Sequence, residues 1–143
     1  MWPWGSRKRY DEGAQEVTGK YLGERFGTQR IPLDNRYLAL QREAFMRLIA
    51  DAHRPLPRSV FKPEFPDCDD AARLCVADVL RAAIGATLRF APAFGIVEFM
   101  RYGSRVRHQD TVAVFQGCGC GYYDPILCRW RDELGGASPE YFF

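Results

Sequence analysis

The sequence predicts an α+β domain, in which two helices are followed by a small antiparallel sheet. Three observations carry that reading. Apolar residues between positions 41 and 85 recur at helical spacing, in two blocks separated by Pro55, Pro57, Pro63 and Pro66. After Gly85 the pattern changes to short strand-like segments broken by glycines. Aromatic residues make up 14% of the chain, which favours a fold containing sheet over a plain helical bundle.

Residues 1–30 carry Gly5, Gly13, Gly19, Gly23 and Gly27 among scattered charges and read as an irregular N-terminal arm with one short helix. Trp2, Trp4, Tyr21 or Phe26 would pack it down. A strand or turn at Tyr37-Leu38-Ala39-Leu40 leads into a helix over 41–52, with Phe45, Leu48, Ile49 and Ala52 on one face. His53 falls at the end of that helix and is expected to be solvated. The proline segment should be extended and should stop at the next helix.

That helix is predicted over 68–85. Asp67, Asp69 and Asp70 supply its cap and first-turn charge, and Gly85 is a natural stop. Ala71, Leu74, Val76, Val79, Leu80 and Ala83 make it apolar nearly all round, as expected of a central helix. Strands are expected over 87–90, 96–101, 111–115 and 121–124, with Gly117-Cys118-Gly119-Cys120-Gly121 as a tight turn. The domain proper is therefore read over 31–134, and 135–143 as a tail that is loose unless Tyr141, Phe142 and Phe143 dock.

Composition narrows the function classes. At 143 residues the chain can build a core without disulfide staples. A net charge of +2 gives no footprint for nucleic acid, although 17 of the 20 basic residues are arginine. No stretch approaches about 18 apolar residues, so no membrane span is expected. The N-terminal residues do not have the layout of a secretory signal. Five cysteines without framework spacing suggest reduced thiols, and hence a cytoplasmic setting.

The informative constellation is a thiol, an imidazole and a carboxylate. Cys68 stands at a helix start, where unpaired N–H groups and the helix dipole favour the thiolate that attacks carbonyls. His108 precedes a strand and is one of two histidines, so it is the natural base. Asp124, before Pro125 on the following strand, would accept from the imidazole N–H and fix its tautomer, with Asp110 as the alternative orienter. Backbone N–H groups near Cys68 and Asp69 would hold an oxyanion. A three-cysteine, one-histidine zinc site from Cys118, Cys120, Cys128 and His108 is a weaker alternative, because a one-residue gap between cysteines strains tetrahedral ligation. No metal or other cofactor is expected.

Asp67-Cys68-Asp69-Asp70-Ala71-Ala72, preceded by Tyr37-Leu38-Ala39-Leu40 and Phe45, resembles papain/transglutaminase-like cysteine peptidase domains of the Asp-Cys-Asp-Asp type. Such domains occur in phage proteins and in the protease domain of a mushroom lectin. His108 to Phe115, then Tyr122-Tyr123-Asp124-Pro125, follow the same order, so the resemblance covers about residues 37–125. It implies a papain-like fold with Cys68 as nucleophile, His108 as base and Asp124 as orienter. Lys62 stands where papain has its oxyanion glutamine, leaving that task to the helix start.

Two functions follow. One is a cysteine-dependent hydrolase or acyl transferase acting on a protein or peptide substrate. The other is a non-catalytic interaction or inhibitor protein, of the kind a phage or mobile element encodes, on a degenerate peptidase-like scaffold. It would bind a host protein through Trp2, Trp4, Arg7, Lys8, Arg9 and the Tyr141-Phe142-Phe143 tail.

Overall fold

The computed structural model describes residues 9–27 and 34–143. Trp2, Trp4, Arg7 and Lys8 lie outside the described residues. The arm contributes regular structure. Strand β1 (Gln15–Thr18) passes directly into helix α1 (Gly19–Phe26), where Thr18 Oγ1 accepts from Tyr21 N–H at 3.0 Å and caps the helix. Gly27 ends it in the left-handed region at φ 61°. Tyr10, Val17 and Leu22 are buried, so this segment is part of the core.

Strand β2 (Arg36–Ala39) pairs antiparallel with β1, and helix α2 (Arg42–Ala52) follows. Its face is the expected one: Ala44, Phe45, Leu48 and Ile49 are buried. Phe45 meets Phe94 and Phe115 with ring centroids 6.2 and 5.9 Å apart. The proline segment holds one short 3₁₀ turn (Arg58–Val60) and leads to helix α3 (Cys68–Gly85). Asp67 and Asp70 form a reciprocal capping box, with Asp67 N–H donating to Asp70 Oδ2 at 3.0 Å.

The rest is sheet. Strands β4 (Phe94–Arg101), β5 (Arg107–Val114), β6 (Cys120–Asp124) and β7 (Arg129–Arg131) form an antiparallel meander. Strand β8 (Gly136–Phe142) returns to pair with β4, giving the order β7-β6-β5-β4-β8. The two-residue strand β3 (Ala91–Pro92) lies parallel to β2 and completes a separate three-stranded sheet. The α+β architecture, with a long helix packed on an antiparallel sheet, is the one expected. No helix among the described residues is long and apolar enough to cross a membrane.

Four local expectations need correction. Residues 87–90 are a turn, because Thr87 leaves α3 at φ 56° and its N–H is taken by Ile84 O. Leu74, Leu80 and Ile84 are exposed, because α3 packs on sheet and α2 along one face only. His53 is buried: its Nε2 bonds Pro125 O at 3.0 Å and its Nδ1 lies 3.4 Å from Asp78 Oδ2. Residues 136–142 are docked as β8, where Tyr141 and Phe143 pack on Phe26 at 4.7 and 5.2 Å. Those two rings are therefore spent on the fold and are not free anchors for a partner.

The β4–β8 seam is tight at Gly136. A Cβ there would stand 2.3 Å from Met100 O and 2.4 Å from Phe99 Cδ2, so backbone would have to move. Gly136→Ala is expected to destabilise the domain by about 1–3 kcal/mol, read as a lower urea midpoint at unchanged slope.

Candidate functional site

The start of α3 and the outer ends of β5 and β6 build one site. The capping box fixes Cys68 as the first helical residue, and β5 carries His108 as its second residue. The Cys68 thiol lies near enough to the His108 imidazole to raise its pKa. His108 stacks edge-on against buried Phe99 at 5.4 Å and 87°, which holds the ring upright. The two residues singled out by their order in the chain are thus brought together.

The carboxylate that meets His108 is Asp110. Its Oδ1 lies 2.8 Å from His108 Nε2, and Asp110 is only 1% exposed. A carboxylate oxygen at that distance needs a proton between the two atoms, so Nε2 carries one. Asp124, the expected orienter, is also buried, but its Oδ1 accepts from the N–H groups of Ile126 and Leu127 at 2.9 and 3.0 Å. It shapes the turn after β6 and stands beside the pair, with one ligand atom each from His108, Asp110 and Asp124 within 4.8 Å of one another. Two residues apart on one strand, His108 and Asp110 face the same side, a signal legible in the sequence.

Arg101, at the end of β4, was not anticipated. Its guanidinium reaches His108 Nε2 at 2.9 Å and Asp124 Oδ2 at 4.0 Å. Both Arg101 and a protonated Nε2 are donors, so this approach opposes the imidazolium while Asp110 favours it. Burial lowers the His108 pKa, but the bonds to Asp110 and Cys68 outweigh it. The result is pushed up to about 9. At neutral pH this ring is an imidazolium.

The three aspartates around Cys68 are engaged with one another and with Arg73. Asp67 and Asp69 share a hydrogen bond, which raises the pKa of Asp67 and lowers that of Asp69. Asp69 also meets Arg73 at 3.5 Å, and Asp70 is engaged in the cap.

Two acidic groupings have metal-compatible spacing, His108/Asp110/Asp124 and Asp67/Asp69/Asp70. The alternative set of Cys118, Cys120, Cys128 and His108 is not assembled. The sulfurs of Cys118, Cys120 and Cys128 contact Gln15 Oε1, Tyr122 Oη and Pro125 O respectively, each at 3.9 Å. Cys75 is sealed in the core, where burial raises its pKa to about 12.

No protein-family model and no curated protein matches the chain. Among solved structures it resembles a PSL1a–E64 complex, with a TM-score of 0.70 at 15% identity over 90% of this chain. It also resembles Polyporus squamosus lectin bound to the human-type influenza-binding epitope Neu5Aca2-6Galb1-4GlcNAc, with a TM-score of 0.63 at 15% identity over 90% of this chain. The chain spans 50% and 48% of those two chains, about half their length. At that identity the likeness is one of fold.

Proposed function

We propose that this domain is a cysteine-dependent hydrolase or acyl transferase acting on amides or esters of polypeptides. The observation that carries the reading is the meeting of the helix-start thiol of Cys68 with an imidazole held by the buried Asp110 carboxylate. Cys68 is the nucleophile and His108 the acid–base. Asp110 takes the orienting role, and Asp124 braces Arg101 beside it. This differs from the role that the papain-like resemblance assigns to Asp124.

The chemistry follows from the protonation states. Asp110 holds a proton on Nε2, so Nδ1 is the nitrogen that carries the thiol's proton while the sulfur attacks as thiolate. The sulfur attacks the carbonyl carbon, forming a C–S bond and placing negative charge on oxygen. The backbone N–H groups of Cys68 and Asp69, at the helix start, are the donors that meet this oxyanion. The imidazolium then protonates the leaving amine or alcohol as its bond to carbon breaks. Water, or an acceptor amine, resolves the thioester with His108 as base.

The reading as a non-catalytic binding module is favoured by one observation, the lectin whose fold is shared. Thiol reactivity separates the two. Under the catalytic reading, iodoacetamide labels Cys68 of the native protein well below pH 8, and His108→Ala slows that labelling at least about tenfold. Mass spectrometry of the intact protein and its peptides checks both. Labelling no faster than an ordinary thiol, or only after unfolding, leaves the binding-module reading.

A further inference from the structure

We infer that Arg101 is the built-in cation of the buried His108–Asp110–Asp124 cluster, standing where a divalent metal ion would otherwise bind. The inference goes beyond the hydrolase reading and holds whether or not Cys68 is a nucleophile. One ligand atom from each of the three residues lies within 4.8 Å of the other two, the spacing of a small metal site. Both carboxylates are almost sealed from solvent, Asp110 at 1% and Asp124 at 2% exposure. Two negative charges buried so close together need positive charge beside them.

Two cations meet that need. His108, as the imidazolium, faces Asp110 Oδ1 from Nε2 at 2.8 Å. Arg101 supplies the other: its Nη2 lies 2.9 Å from the same Nε2 and 4.0 Å from Asp124 Oδ2. Of the four side chains only that of Arg101 is substantially exposed, at 43%, so it closes the cluster towards solvent. Its backbone is held by pairing with Gly136 of β8, and its carbonyl accepts from Ser104 N–H at 3.1 Å.

A divalent ion and this guanidinium exclude each other. A metal on Nε2 would stand about 2.1 Å out, in the space that the Arg101 nitrogen closes. It would also need the Nε2 lone pair, which is absent while Nε2 holds a proton for Asp110. Charge balances in either arrangement. Imidazolium and guanidinium offset the two carboxylates, and so would one divalent ion beside a neutral imidazole. A guanidinium suits the first arrangement, being always charged and weakly hydrated.

The test measures Mn²⁺ binding to the full chain by electron paramagnetic resonance, in which the signal of the free aqueous ion is lost on binding. Mn²⁺ suits carboxylate ligands, and at about pH 8 it can displace the Nε2 proton. Arg101→Met is expected to bind Mn²⁺ at least about tenfold more tightly than the native protein, because a positive charge has left the site. Adding Asp124→Asn to that variant should remove the gain, while its amide oxygen still accepts from the N–H groups of Ile126 and Leu127. The Asp67/Asp69/Asp70 grouping is present in every variant, so any ion it takes cancels from the comparison. Arg101→Lys keeps a cation and should gain nothing; a gain equal to that of Arg101→Met would overturn the inference. Should Arg101→Met be unfolded, Mn²⁺ is expected to restore its circular dichroism, and failure to do so counts against the guanidinium as a metal substitute. No gain in a folded Arg101→Met, or a native Mn²⁺ site that Asp124→Asn alone removes, overturns it as well.

Discussion

Cys68→Ala is expected to abolish ester and amide turnover, by a factor on the order of 10⁴ to 10⁶, with folding stability changed by less than about 1 kcal/mol. The asymmetry has a structural cause. Cys68 is half-buried at the surface end of α3, and the helix start is held by the Asp67–Asp70 capping box, which the substitution leaves intact. The thiol packs no part of the core. Under the proposed hydrolase reading, its removal takes away the atom that bonds to the carbonyl and leaves only binding and backbone donors. The assay is turnover of an activated acyl ester at pH 7, paired with urea unfolding. Full turnover in Cys68→Ala would place any activity at another group.

The second large effect is expected at Asp110. Asp110→Asn keeps the shape but removes the negative charge facing a partly buried imidazolium. Burial then acts with less opposition, and the His108 pKa is expected to fall from about 9 to near 6.5 or below. An NMR titration of the ring reads this directly. Stability follows with a defined sign. A pKa raised on folding contributes stability that is complete below the unfolded value near 6.5 and is lost as pH climbs through about 9. Asp110→Asn should therefore cost about 3–5 kcal/mol at pH 6, since it strands one partner of a buried pair. The penalty should shrink above pH 9, where the parent has lost the same contribution. A cost independent of pH would mean that Asp110 serves packing and not the imidazolium.

Much of this site could be read before any coordinates. The limits of α3 were legible because an Asp cap, a long apolar run and a terminal glycine are local signals. The thiol and the imidazole were legible because there are only two histidines, and one of them precedes a strand. Asp110 and Asp124 could not be separated in the same way. Both carboxylates stand near the imidazole, and the 2.8 Å bond to Asp110, with the turn that consumes Asp124 Oδ1, decides between them. Arg101 comes to His108 across the β4–β5 hairpin, and the burial of His53 depends on Asp78 and Pro125, distant in sequence. Docking of β8 was hidden for another reason. Residues 136–142 include glycine, serine and proline, poor strand formers held here by pairing with β4 and by rings packed on α1.

The same strand leaves the sheet with a poor template for any further one. β8 is an outer strand, and at its middle stands Pro139, which has no N–H to offer. Ser138 before it is turned into the left-handed region at φ 54°, and Glu140 after it adds a charge. A second chain laid along this edge would find an interrupted ladder and a carboxylate. Sheet growth stops at residues 138–140 by chemistry.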